Sequence, residues 1–201
     1  MVRIESNNRY QNLFKEIMSI KPKTILEVGT HTGKQAERMV NSAIGFNREI
    51  TYLGFDLFDD MTPDVKQKEI HHKADVGING ATQVLDALKR KHKGFNYKLY
   101  KGNTLETLPL FVDEYKGKVD FVFIDGGHSL DTIANDWRNI KKVMHEKTVV
   151  LFDDYYVGDS TKGCMREILR INKESDYKAT LFPETDSHGE FQIKIAKVVR
   201  T

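Results

Sequence analysis

The chain has 201 residues, enough for one α/β domain with a sizeable core and short for two. Lys+Arg 31 against Asp+Glu 29 leaves a net charge of +2 with no dominant basic block, which argues against nucleic-acid and membrane partners. One cysteine, Cys164, excludes an internal disulfide framework. A polar start from Met1 to Tyr10, with no apolar run near the ~20 residues of a membrane span, leads us to expect a soluble, cytoplasmic protein.

Along the chain, a helix near Asn8 to Ser19 forms a helical extension over 1–22 and precedes a strand at Thr24 to Val28. Further strands are expected at Ile50 to Phe55, Phe95 to Tyr100, Val119 to Ile124, Thr148 to Phe152, Tyr177 to Phe182 and Phe191 to Val199. Helical patterns fall between them at Lys34 to Ile44, Ala81 to Lys91, Leu105 to Tyr115, Leu130 to Met144 and Cys164 to Asn172. In the fourth of these, Ile133, Trp137, Ile140 and Met144 share one face, so Trp137 is expected in the core. Short strands alternating with helices predict a mostly parallel sheet with helices on both faces. The loop from Pro183 to Gly189 is too short for a crossover helix, so the last two strands should form an antiparallel hairpin. The expected architecture is a single α/β domain over 1–201, a Rossmann-like doubly wound seven-stranded sheet. Residues 61–80, with the His71-His72 pair, are expected to form a lid loop over the pocket.

Asp153 and Asp154 lie side by side after the apolar run Val149-Val150-Leu151-Phe152, and Phe121-Val122-Phe123-Ile124 ends in the same way at Asp125. Two buried-looking strands thus deliver three carboxylates to one sheet edge. Helix or turn capping would explain one such aspartate, whereas three suit a hard divalent cation with oxygen ligands, magnesium above all.

The first strand runs into Glu27-Val28-Gly29-Thr30-His31-Thr32-Gly33, where an open α/β sheet binds its ligand. The Gly-x-x-x-Gly spacing departs from the Gly-x-Gly-x-x-Gly of a dinucleotide loop. Lys34-Gln35 departs from the Lys-Ser/Thr of a phosphate-binding loop. Asp56 ends the second strand, where an acid can accept both hydroxyls of a ribose, and the pair of features suggests a nucleoside site.

Glu27 to Gly33 resembles the first motif of class I S-adenosylmethionine-dependent methyltransferases, and Gly54-Phe55-Asp56-Leu57-Phe58 resembles their second-strand motif. Gly102 to Pro109, Ile124-Asp125-Gly126-Gly127-His128-Ser129 and Phe152-Asp153-Asp154-Tyr155 are similar to the metal-dependent O-methyltransferase branch, catechol-type and macrocin-type sugar enzymes included. The likeness runs from about Thr24 to Tyr156 and implies S-adenosyl-L-methionine as cofactor. It places Glu27, Gly29 and Gly33 around the methionine part, Asp56 at the ribose and Asn103 or Thr104 at the adenine, with Thr30 and His31 also beside the cofactor and Asp125 near both cofactor and metal. It implies Mg2+ on Asp125, Asp153 and Asp154, the last standing where the catechol-type pattern has Asn, and His128 as general base. His31 replaces a glycine of the common pattern. The acceptor implied is a small hydroxylated molecule, with a sugar or sugar-bearing metabolite as first guess. A homo-oligomer is compatible with the sequence. A non-catalytic S-adenosylmethionine-binding module and an NAD-dependent oxidoreductase are the alternatives.

Overall fold

In the computed structural model, residues 9–69 and 76–201 are described, and His71-His72 lie outside them. Seven α-helices and eight strands alternate among these residues: α1 (Gln11–Ile20), β1 (Thr24–Val28), α2 (Lys34–Ala43), β2 (Ile50–Asp56), α3 (Pro63–Lys68), α4 (Ile78–Lys91), β3 (Phe95–Lys101), α5 (Thr104–Glu114), β4 (Val119–Ile124), α6 (Leu130–Val143), β5 (Met144–Tyr156), α7 (Met165–Ile171), β6 (Tyr177–Leu181), β7 (Asp186–His188) and β8 (Phe191–Arg200). The strands join in the order β3-β2-β1-β4-β5-β8-β6. Neighbours are parallel from β3 to β5, and β8 enters antiparallel between β5 and β6.

The central strands are mostly apolar on both sides because helices cover both of their faces. Phe121 and Phe123 of β4 pack with Leu13 and Ile17 of α1, Val40 of α2 and Leu85 of α4. Their neighbours Val122 and Ile124 join Phe111 of α5, Trp137 and Ile140 of α6 and Ile168 of α7 on the opposite face. Trp137 is fully buried, edge-on to Tyr177 at 4.9 Å, as its helical spacing predicts. This two-sided burial makes the doubly wound α/β sheet, with the chain reversal between β1 and β4 opening a crevice at the strands' carboxyl ends.

Three expectations need correction. The sheet has eight strands, because β7 pairs with Phe191, Gln192 and Ile193 of β8 on the edge that β6 uses further along. Its three residues lie within a segment whose Pro, Gly and polar residues read as a loop. β5 does not stop at Phe152: it continues to Tyr156 through a bulge, since Phe152 pairs with Ala196 and Tyr155 with Lys194, leaving Asp153 and Asp154 opposite one residue. Asp154, at φ 56°, carries the left-handed backbone of that bulge. Finally, the segment expected as a lid loop begins with helix α3 and ends in the first turn of α4, while residues 70–75 lie outside the described part. No described helix is long and apolar enough to cross a membrane.

Candidate active site

The β1–α2 turn is held open by a carboxylate. Asp56, at the end of β2, accepts the backbone N–H of His31 at 2.7 Å and that of Phe58 at 2.9 Å. Both donors have positive φ, 48° for His31 and 50° for Phe58, a strained conformation for residues with a Cβ. One side chain therefore ties two strained loops together and offsets their cost with charge-assisted hydrogen bonds. Gly29, at φ 95°, lies so close to the next strand that a Cβ there would sit 2.0 Å from the carbonyl oxygen of Asp125. The glycine is required both by its backbone and by this approach.

Behind the turn, Glu27 is fully buried and accepts a hydrogen bond from the Tyr52 hydroxyl, which also bonds Thr30 Oγ1 at 3.0 Å. Burial first, and then the charge of Glu27, push the Tyr52 phenol well up, so it stays a donor.

Asp125, Asp153 and Asp154 converge, one oxygen of each lying within 4.8 Å of the others. The bulge in β5 sends Asp153 inward and leaves Asp154 at the cavity, where its Oδ2 lies 2.8 Å from His128 Nε2. The other ring nitrogen, Nδ1, is enclosed by protein without a hydrogen-bond partner among the described residues. Gly163 closes behind: its N–H donates to the His128 carbonyl at 2.9 Å, and the Cys164 N–H donates to the Asp154 carbonyl at 3.1 Å. Asp153 is met by Arg9, whose Nε and Nη2 reach its two oxygens at 2.7 and 3.0 Å, and by the Tyr10 hydroxyl at 2.6 Å. Burial and the adjacent Asp154 push the Asp153 carboxyl up, against the pull of Arg9.

A cavity of about 1170 Å³ runs between these two groups, large enough for a nucleoside-sized cofactor and a second small molecule. Of the residues singled out in the sequence, Gly29, His31, Asp56, Asn103, Thr104, Asp125, His128 and Asp154 line it. Glu27, Thr30 and Gly33 are buried behind the lining and shape the turn from there, and Asp153 is likewise set back. Asn103 faces the cavity while capping α5, accepting the Leu105 N–H at 2.9 Å. The far end is made by Tyr156 and Phe191, edge to face at 5.9 Å, with Lys162 Nζ 4.8 and 4.0 Å from their ring centres.

One wall comes from the segment after β2. Glu69, just past α3, accepts from the Ser129 N–H at 2.9 Å and from the hydroxyls of Ser129 and Thr132, each at 2.8 Å. This pins the α3 segment to the N-terminus of α6, where a carboxylate also meets the positive end of the helix dipole. Nothing in the sequence marks Arg9, Tyr10 and Glu69, because their partners are 144, 143 and 60 residues away and no local pattern joins them.

The profile of a protein family described as a methyltransferase domain matches residues 26–155, a stretch that starts within β1, ends within β5 and includes every residue of the acidic cluster. No curated protein matches the chain. Solved structures share its fold at low identity. The O-methyltransferase TomG from Streptomyces achromogenes, involved in tomaymycin synthesis and solved with SAM, aligns at 16% identity and TM-score 0.69, over 95% of this chain and 78% of its own. An O-methyltransferase from Bacillus cereus solved with SAH aligns at 13% and 0.68, over 98% and 84%. The SAH-bound methyltransferase PaMTH1 of Podospora anserina aligns at 16% and 0.63, over 96% and 79%.

Proposed function

Since the chain belongs to the methyltransferase-domain family, we propose that it transfers a methyl group from S-adenosyl-L-methionine to a hydroxyl of a small acceptor. The observation that carries this reading is one cavity holding both halves of the chemistry, a carboxylate-tied nucleoside shelf at Asp56 and a proton-accepting pair at His128 and Asp154. In this reading Asp56 accepts the ribose hydroxyls, Gly29 lets the methionine part approach the main chain, and Asn103 and Thr104 border the adenine.

Methyl transfer is an in-line displacement at the sulfonium, so the protein's work is to hold the acceptor oxygen on the far side of the methyl group and to take its proton. With Asp154 ionised, His128 Nε2 carries the hydrogen between them. Nδ1 is enclosed, so the acceptor's proton goes to the Asp154 carboxylate, which the His128 N–H holds in place at the cavity. In this reading Asp154 accepts the proton and His128 positions it, whereas the sequence resemblance implies His128 as the base. Tyr156, Phe191 and Lys162 form the acceptor end, compatible with the flat apolar face and polar rim of a sugar-bearing molecule.

A divalent ion such as Mg2+ suits the donor chemistry of Asp125, Asp153 and Asp154 and would lower the proton affinity of an acceptor oxygen bound to it. It does not suit Asp153 as that residue is held here, because Arg9 and Tyr10 occupy its oxygens. No step above depends on the ion.

Calorimetry with S-adenosylhomocysteine, followed by label transfer from S-adenosylmethionine to a panel of vicinal diols and glycosides, tests the reading. Asp56→Ala should abolish cofactor binding. His128→Ala and Asp154→Asn should keep it within a few-fold while lowering transfer by about 100-fold. Failure of the wild type to bind the cofactor refutes the proposal, as does binding of NADH in its place. Cofactor binding with no transfer to any hydroxylated acceptor returns the chain to a non-catalytic binding module.

A further inference from the structure

Asp153 has no room for another partner. Its Oδ1 accepts from Arg9 Nε at 2.7 Å and from the backbone N–H of Asp154 at 2.8 Å, and its Oδ2 accepts from Arg9 Nη2 at 3.0 Å and Tyr10 at 2.6 Å. Two oxygens offer about four acceptor positions in all. The same guanidinium donates through Nη1 to Asp186 at 2.6 Å, and its Nη2 stands 3.9 Å from Asp154. Arg9 is therefore set among three carboxylates, with only 12% of its side chain exposed.

An ion bound to Asp153 would lie about 2.1 Å from a carboxylate oxygen, on ground that the guanidinium already holds. Two positive groups at that separation in a low-dielectric pocket repel strongly, so the two cannot share the carboxylate. The main chain beside Arg9 is fixed: Leu13 and Ile17 of α1 are buried, and Glu16 pairs with Lys197 at 2.7 Å. The side chain alone has somewhere to go, because Asp186 belongs to β7 at the cavity rim and its side chain is 28% exposed. Arg9 can release Asp153 and keep Asp186 without moving α1.

We propose that the acidic cluster is a cation site of single occupancy, with Arg9 as its tethered occupant, and that a divalent ion enters only by displacing the guanidinium towards Asp186. This rests on reading Asp125, Asp153 and Asp154 as a divalent-ion site. Because Arg9 and Asp186 both line the cavity, the exchange couples metal binding to the position of a charged side chain in its wall.

Titration of the full chain with Mn2+, followed by calorimetry and by electron paramagnetic resonance of the free ion, tests the exchange. Arg9→Ala should bind Mn2+ about tenfold more tightly than wild type or better, and adding Asp153→Asn to that variant should remove the gain. Equal affinity in wild type and Arg9→Ala overturns the proposal. So does the absence of Mn2+ binding in both, which would make Arg9 a permanent counter-ion. Arg9→Gln removes the charge with less loss of packing and carries the same expectation if Arg9→Ala does not fold. S-adenosylhomocysteine binding on the same preparations separates the two readings, since normal cofactor binding beside either overturning result leaves the methyltransferase assignment standing.

Discussion

Asp136 of α6 is fully buried, and neither of its oxygens makes a hydrogen bond among the described residues. Burial pushes its carboxyl up to about 7 from an ordinary 3.8, with Glu69 adding to the rise and weaker polar contacts from Thr104 and Asn135 opposing it. In the unfolded chain the group titrates near its ordinary value, so between the two values the folded state holds the proton that the unfolded state has lost. Stability therefore falls as pH rises through this window and levels off above about 7, at about 1.4 kcal/mol per pH unit and at most about 4 kcal/mol in all. Asp136→Asn is neutral throughout and removes the slope. Urea denaturation of both proteins from about pH 5 to about pH 8 should show the variant gaining on wild type by about 3 kcal/mol across that range, with no further gain at higher pH. Groups shared by both proteins cancel in this difference. Parallel stability curves would refute the reasoning, since they would mean that Asp136 is ionised in the fold at little cost.

Gly29→Ala should abolish S-adenosylhomocysteine binding in calorimetry, because the added methyl meets the Asp125 carbonyl of the neighbouring strand and the whole turn must shift. Glu69→Ala removes three accepted hydrogen bonds at a helix N-terminus and should lower stability by about 3 kcal/mol in urea denaturation. Amide exchange in the same variant should rise first in α3, and unchanged protection there would show that the wall is held by something else. Tyr52→Phe takes away the hydroxyl that Glu27 accepts and should cost about 2 kcal/mol, with the cofactor's affinity falling as the turn loosens.

The fold was readable where burial is two-sided and the pattern local. The boundaries of β1 and β4 coincide with the runs read from the sequence, even though Glu27 and Asp120 interrupt them, because the residues on either side remain apolar. In the sequence a pair of aspartates looks like the end of β5, and only the pairing with β8 shows that the ladder resumes at Tyr155. Helix α3 escaped notice, for its six residues have no buried face and its support comes from capping by Thr62 and from Pro63 at its first turn. At the site, Asp56 and Gly29 were legible because a strand end or a tight turn fixes their task. The partner of Asp153 was expected to be a metal ion, since a carboxylate's need for positive charge is visible in sequence and the residue that answers it is not. Arg9 sits in a polar stretch with no periodicity, and only the packing of α1 brings it to the acidic cluster.

The bulge at Asp153 and Asp154 inserts one residue without changing which face the strand presents afterwards. Tyr155 joins the same apolar cluster as Phe152 and would do so in an unbroken ladder one residue shorter. Asp154 is thus supernumerary to the sheet: a chain lacking it could pair Phe152 with Ala196 and the following tyrosine with Lys194 as before. Deleting Asp154 would remove a carboxylate that lines the cavity together with the carbonyl that accepts from Cys164, whereas substituting it keeps that bond and the left-handed residue. If Asp154 takes the acceptor's proton as proposed, the reacting carboxylate rides on a residue that the strand pairing itself does not require.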